Sequence, residues 1–151
     1  MAAITIYTDG SALGNPGPGG YGVVMISGPH RKELSQGYRL TTNNRMELTA
    51  VCVALEALRF PGSEVTVYSD SRYVVDAVSK GWVFGWEKKG FANKKNPDLW
   101  MRFLRVFRRH SVRFVWVKGH AETIENNRCD QLAVAAANGP RLLEDAGYRP
   151  E

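Results

Sequence analysis

Two stretches of this sequence end in nearly the same string, Thr5-Ile6-Tyr7-Thr8-Asp9 and Thr66-Val67-Tyr68-Ser69-Asp70. Both are rich in β-branched and aromatic residues, and each closes on an aspartate, as strands do when they run up to the edge of a sheet. If the two strands lie parallel and adjacent, about 4.8 Å apart, their aspartates emerge together at the carboxyl edge, where α/β folds place their ligands. Carboxylates that close repel unless a cation lies between them. Each aspartate also has a plainer reading: Asp9-Gly10 as a turn, and Asp70 as the cap of a helix starting at Ser71. The matched strings weigh against coincidence.

The rest of the chain supplies partners for such strands. Residues 4–8, 22–27, 33–40, 65–69 and 112–117 read as strands, and residues 10–22 as a Gly/Pro-rich loop. Helical periodicity covers residues 43–58, 71–79, 98–109 and 125–138, with Gly62, Gly81 and Gly139-Pro140 as stops. Strands mixed with helices of this length predict an α/β fold: a five-stranded mixed sheet, three strands antiparallel and two added in parallel through crossover helices.

Two more acids sit where solvent-facing acids should not. Glu47 shares a helix face with Val51, Ala54, Leu55 and Leu58, and Asp130 lines up with Ala133, Val134 and Ala137. A carboxylate on an apolar stripe is paired, protonated or bound to metal. Both also lie in the first turns of their helices, where an acid can simply complement the dipole. Four carboxylates without a His or Cys cluster suit Mg2+ or Mn2+ rather than zinc. Two such ions about 3.5–4 Å apart can activate a water and stabilise the leaving oxygen of a phosphodiester.

The charge distribution points to the same kind of ligand. Net charge is +5, yet residues 80–113 hold ten Lys or Arg against Glu87 and Asp98. A basic block in an otherwise acidic chain predicts a polyanion partner held by one region. Aromatics interleave there: Trp82, Phe84, Trp86, Phe91 and Trp100 among Lys88, Lys89, Lys94 and Lys95. Aromatic faces and ammonium groups together grip a nucleic-acid backbone, its sugars and bases. Trp100, Phe103, Leu104 and Phe107 are spaced for a helix face and read as core. Gly90 and Pro97 make Lys88 to Lys95 read as an exposed loop.

At 151 residues, the chain has room for one domain spanning residues 1–151 and for a core that needs no staples. No apolar run reaches the roughly 18 residues of a membrane span, and Met1-Ala2-Ala3-Ile4 does not open a signal peptide. Cys52 and Cys129 lack ligand spacing and fit reduced thiols, so a soluble cytoplasmic monomer without an obligate protein partner is expected.

With these residues in view, the chain closely resembles type 1 ribonuclease H of the bacterial kind. The resemblance rests on TDGSALGNPGPGGYG (8–22), TTNNRMEL (41–48), YSDSRYV (68–74), WVKGHA (116–121) and ENNRCDQLA (125–133), five motifs in order along essentially the whole chain. It implies the ribonuclease H-like fold and cleavage of the RNA strand of an RNA–DNA hybrid, leaving 5′-phosphate and 3′-hydroxyl ends. Asp9, Glu47, Asp70 and Asp130 match the family's metal-binding carboxylates, and His120 its mobile histidine. His120 gains a role opposite the carboxylates, relaying a proton to the leaving 3′-oxygen or helping product and metal leave. The basic aromatic block matches the family's substrate-binding protrusion.

Asn15, Asn43 and Asn44 offer side-chain hydrogen bonds to an RNA strand, or else serve turns and caps. Gly17, Gly19 and Gly22 satisfy G-x-G-x-x-G, but residues 22–26 continue as a strand rather than a helix, so no dinucleotide site is expected. The glycines are read instead as tight turns and close approach to RNA. Three departures from the family pattern bear on affinity. Leu40 stands where some relatives have arginine, leaving Thr42 and Asn96 for a DNA phosphate; Ser71 replaces a glutamine, and Phe91 a tryptophan. A binding module without catalysis is the main alternative, yet clustered negative charge facing phosphates gives a binder nothing. A DNA-strand transferase of the same fold is disfavoured by the short chain, although fold alone does not decide.

Overall fold

The computed structural model describes residues 3–118 and 123–150. His120, with most of its loop, lies outside them. Strand β1 (Ala3–Ala12) pairs antiparallel with β2 (Gly17–Ser27), which pairs antiparallel with β3 (His30–Thr41). Helix α1 (Asn43–Glu56) crosses back to β4 (Glu64–Ser69), which lies parallel to β1. Helices α2 (Arg72–Ser79), α3 (Trp82–Lys88) and α4 (Pro97–Phe107) precede β5 (Ser111–Trp116), parallel to β4. Helix α5 (Ile124–Ala137) leads to β6 (Leu142–Leu143), parallel to β3. The sheet order is β5-β4-β1-β2-β3-β6.

The sheet therefore has six strands rather than the expected five. The sixth pairs only through Leu142 and Leu143, too short to leave a periodic signal. Residues 10–22 are not one loop: β1 runs on to Ala12, and β2 begins at Gly17. Glycine here serves close packing within a strand. A Cβ on Gly20 or Gly22 would overlap the carbonyl oxygen of Ala133 or Cys129, so their absence lets α5 lie directly on β2. The close approach expected toward RNA is, at these positions, toward a helix of the chain itself. Gly19, on the opposite face, abuts Thr41 and Met46 instead.

The main core lies on the other face of the sheet from α5. Ile6, Val23 and Val67 pack there against Leu48, Val51 and Leu55 of α1 and against α4, whose Trp100 and Phe103 are fully buried. Two short caps fix the helices that matter most. The Thr42 hydroxyl accepts the Arg45 N–H at 3.2 Å to start α1, and the Ser71 hydroxyl accepts the Val74 N–H at 3.2 Å to start α2. Helix α3 was not expected. It forms after Gly81 turns the chain with a φ of 75°, because Val83 is buried and Phe84 and Trp86 pack on the core. Lys88 ends that helix, and the exposed loop begins only after it.

Candidate active site

Tyr7 of β1 stands opposite Tyr68 of β4, their rings stacked at 5.0 Å. Two residues further along each strand, Asp9 and Asp70 leave the same edge. Helix α1 brings in the third acid because Gly10 has no side chain: a Cβ there would overlap the Met46 carbonyl carbon and the Glu47 nitrogen. Carboxylate oxygens of Asp9, Glu47 and Asp70 thus all lie within 4.8 Å of one another. Asp130 of α5 lines the same cavity of about 210 Å³, together with Asn43, Asn126 and Asn127. Its helix is seated by Cys129, Ala133 and Ala137, all buried, whereas Val134 is 38% exposed and lies off that face.

Helix α5 is also clamped at its start. Arg31 grips Glu125 at 2.7 Å, and Arg128 grips Glu33 at 2.8 Å. The Arg128 and Arg31 hydrogen bonds hold the Glu33 carboxyl down at about 2. The cavity carboxylates move the other way. Burial first, then the charges of Asp70 and Asp130, push Asp9 up to about 8. Burial likewise raises Glu47 well above the usual carboxylate range, reinforced by Asp9 and Asp70. Among the described residues, Glu47 Oε1 and Asp70 Oδ1 are buried without a hydrogen-bond partner. Unpartnered carboxyl oxygens in such a cluster fit a hard divalent cation, and the all-carboxylate donor set suits Mg2+ or Mn2+.

The expected substrate residues divide. Asn43 faces the cavity while its Oδ1 accepts the Ala12 N–H at 2.7 Å, and Asn15 Oδ1 accepts the Asn43 N–H at 3.0 Å. Asn15, Thr42, Asn44, Lys94, Lys95 and Asn96 line a second, larger cleft. Lys88 and Lys89 are exposed, Trp82 is 49% exposed, and Trp86 is partly buried with Lys94 Nζ over its ring at 4.9 Å. Two of the expected substrate residues are buried. Phe91 is buried in the core, at a left-handed φ of 59°. Ser71 is buried too, its hydroxyl used as the α2 cap. Arg45, Asn126 and Asn127 escaped the sequence reading. Nothing in their spacing marks them, although the buried arginine sits two residues before Glu47.

A family model described as RNase H matches residues 1–138, nine-tenths of the chain. The chain belongs to the RNase H family. A Ribonuclease H of Desulforamulus reducens is 59% identical over 150 residues, covering 96% of this chain and 94% of the relative. One from Syntrophus aciditrophicus is 57% identical over 150 residues, covering 96% of this chain and 86% of its own. Among solved structures, LC9-RNase H1, described as a type 1 RNase H with the type 2 active-site motif, superposes with a TM-score of 0.84 at 33% identity. That match covers 92% of this chain and 74% of the other. LC11-RNase H1, solved in complex with an RNA/DNA hybrid, has a TM-score of 0.66 at 29% identity, covering 89% of this chain and 96% of the other. The RNase H family membership gives the sheet-edge carboxylates their context.

Proposed function

We propose that this chain is a divalent-metal-dependent endonuclease that hydrolyses the RNA strand of RNA–DNA hybrids, leaving 5′-phosphate and 3′-hydroxyl ends. The observation that carries the reading is the convergence of Asp9, Glu47 and Asp70 within 4.8 Å, with buried oxygens that find no partner among the described residues. Asp9, Glu47, Asp70 and Asp130 hold Mg2+, with Mn2+ as a substitute and two ions when substrate is bound. Such ions supply Lewis-acid charge at the scissile phosphate and a more acidic water. His120 passes a proton to the leaving 3′-oxygen or eases product release.

The strands of the hybrid are told apart by what borders the site. Asn43, at the cavity wall, retains amide donors for RNA 2′-hydroxyls, which DNA lacks. The α3 protrusion takes the DNA strand, with Trp82 against its sugars and Lys88, Lys89, Lys94 and Lys95 along its phosphates. All four carboxylates come from one chain, which supports a monomer acting without an obligate protein partner. The two buried free thiols, Cys52 and Cys129, support a reducing cytoplasmic setting.

Matched RNA–DNA, RNA–RNA and DNA–DNA duplexes incubated with Mg2+, alongside an EDTA control, test the reading. RNA-strand cuts in the hybrid alone, abolished by EDTA, are expected. Equal cutting of the DNA–DNA duplex would leave only a general nuclease.

A further inference from the structure

The second cleft, of about 820 Å³, has a wall that the substrate reading above does not use: the C-terminal segment contributes Gly147, Tyr148, Arg149 and Pro150. We infer that this segment is a built part of the substrate cleft and that Arg149 binds a backbone phosphate of the strand that is not cut. The inference rests on the hybrid being the substrate.

The segment is locked in place by one buried side chain. Arg45 is only 2% exposed, and all five of its guanidinium N–H groups have acceptors. Nε donates to Asp145 Oδ2 at 2.7 Å, and Nη2 to Asp145 Oδ1 at 3.0 Å. Nη2 also donates to Asp98 Oδ2 at 2.7 Å, while Nη1 donates to Asp98 Oδ1 at 3.0 Å and Asn96 Oδ1 at 3.1 Å. The Thr41 hydroxyl donates to Asp145 at 2.7 Å, and Arg39 pairs with Glu144 at 2.6 Å. Gly147 lies so close to the Asp98 carboxylate that a Cβ would not fit. This lock joins the first turn of α1, the end of the lysine loop and the C-terminal segment into one unit.

The lock also decides which cations are available to a ligand. Arg45 lines the cleft, but its donors are saturated and two carboxylates more than offset its charge. Arg149 is the cation that the C-terminal segment adds to this lining. Arg149 Nη1 donates to the carbonyls of Ala146 at 2.9 Å and Tyr148 at 3.3 Å, which steadies the guanidinium on its own segment. Among the described residues, its Nε and Nη2 make no hydrogen bond, and that edge is the fork that suits two phosphate oxygens. Thr42 and Asn44 border the same space with neutral donors.

The test uses the full chain and a labelled RNA–DNA hybrid bound in EDTA, where cleavage is absent, across a salt series. Arg149→Gln should weaken binding roughly three- to tenfold and make the salt dependence shallower by about one counterion. Its kcat in Mg2+ and its melting temperature should match the parent. Arg149→Lys should recover part of the affinity. In an Asp145→Asn background, where the segment is released, the Arg149→Gln effect should shrink. Unchanged affinity and salt slope in Arg149→Gln would overturn the inference while leaving hybrid cleavage by the parent protein intact. Failure of the parent to cut hybrids would instead overturn the function on which it rests.

Discussion

Trp116 donates its indole N–H to the main-chain carbonyl of Asp70 at 3.1 Å, and the Arg72 guanidinium lies over its ring at 3.9 Å. Beside it, the Val117 N–H donates to the Ser69 carbonyl at 2.9 Å, carrying the β4–β5 pairing up to the residue before Asp70. An edge strand thus holds the backbone at Asp70 from the side. Trp116→Phe keeps a ring under Arg72 but loses the N–H, a bond worth about 1 kcal/mol. A fall of a few degrees in melting temperature is expected. The Mg2+ concentration for half-maximal cleavage should rise several-fold, while KM for the hybrid stays level. A variant indistinguishable from the parent in Mg2+ titration would show that Asp70 needs no such support.

The raised carboxyls make metal-free stability depend on pH. Asp9 is pushed up to about 8 by burial and by its acidic neighbours, and Glu47 is raised in the same way. Each therefore holds its proton in the folded state over a range where the unfolded chain has lost it. Folding gains from this below the unfolded carboxylate pKa, about 4, and loses the gain as pH rises through the folded value. In EDTA, melting temperature should fall between about pH 4 and pH 8 from this source. Mg2+ should restore stability at the upper end, where both carboxylates are charged. Asp9→Asn should melt above the parent at pH 8 without metal and should not cleave. A parent whose metal-free melting temperature is flat over that range would contradict the raised carboxyls.

Gly22 offers a way to move Asp130 without touching it. A Cβ at this position meets the Cys129 carbonyl, so Gly22→Ala must lift α5 away from β2. Overpacking of this kind costs about 1–3 kcal/mol. Because Asp130 follows Cys129 directly, metal affinity should drop along with the melting temperature. Gly28→Ala is the control: among the described residues nothing lies within 4 Å of its Cβ, although its φ of 57° adds backbone strain. It should lower stability and leave the Mg2+ requirement alone.

What the sequence made legible follows from the range of each signal. Asp9 and Asp70 could be paired because a period of two and a repeated string are local patterns, and parallel register carries them to one edge. Glu47 was visible as a charge on an otherwise apolar stripe. The glycines of β2 were read as a loop because glycine marks a turn and a close helix approach alike, and only the partner helix tells them apart. Arg45 was invisible for another reason: Asn96, Asp98 and Asp145 lie 51, 53 and 100 residues away in sequence. The burial of Phe91 was not legible, because an aromatic among lysines looks the same from sequence whether its ring faces outward or inward.

The lysines around α3 yield the last expectation. Lys88 and Lys89 are exposed at the end of the helix, Lys94 sits over Trp86, and Lys95 borders the second cleft. None of them lines the carboxylate cavity among the described residues. Phosphate contact by lysine releases condensed counterions, and about 0.7–0.9 of a logarithmic unit of salt dependence goes with each phosphate neutralised. Replacing all four with Ala should flatten the plot of log affinity against log salt by up to about three units and weaken hybrid binding most strongly at low salt. Saturating kcat should stay near that of the parent, because the groups at the scissile bond are unchanged. Melting temperature should fall only slightly, with the Lys94–Trp86 contact among the interactions lost. Anisotropy titrations in EDTA at several salt concentrations give the slope directly. A slope equal to the parent's would mean that the protrusion does not meet the backbone, and the DNA strand would then have to be held elsewhere.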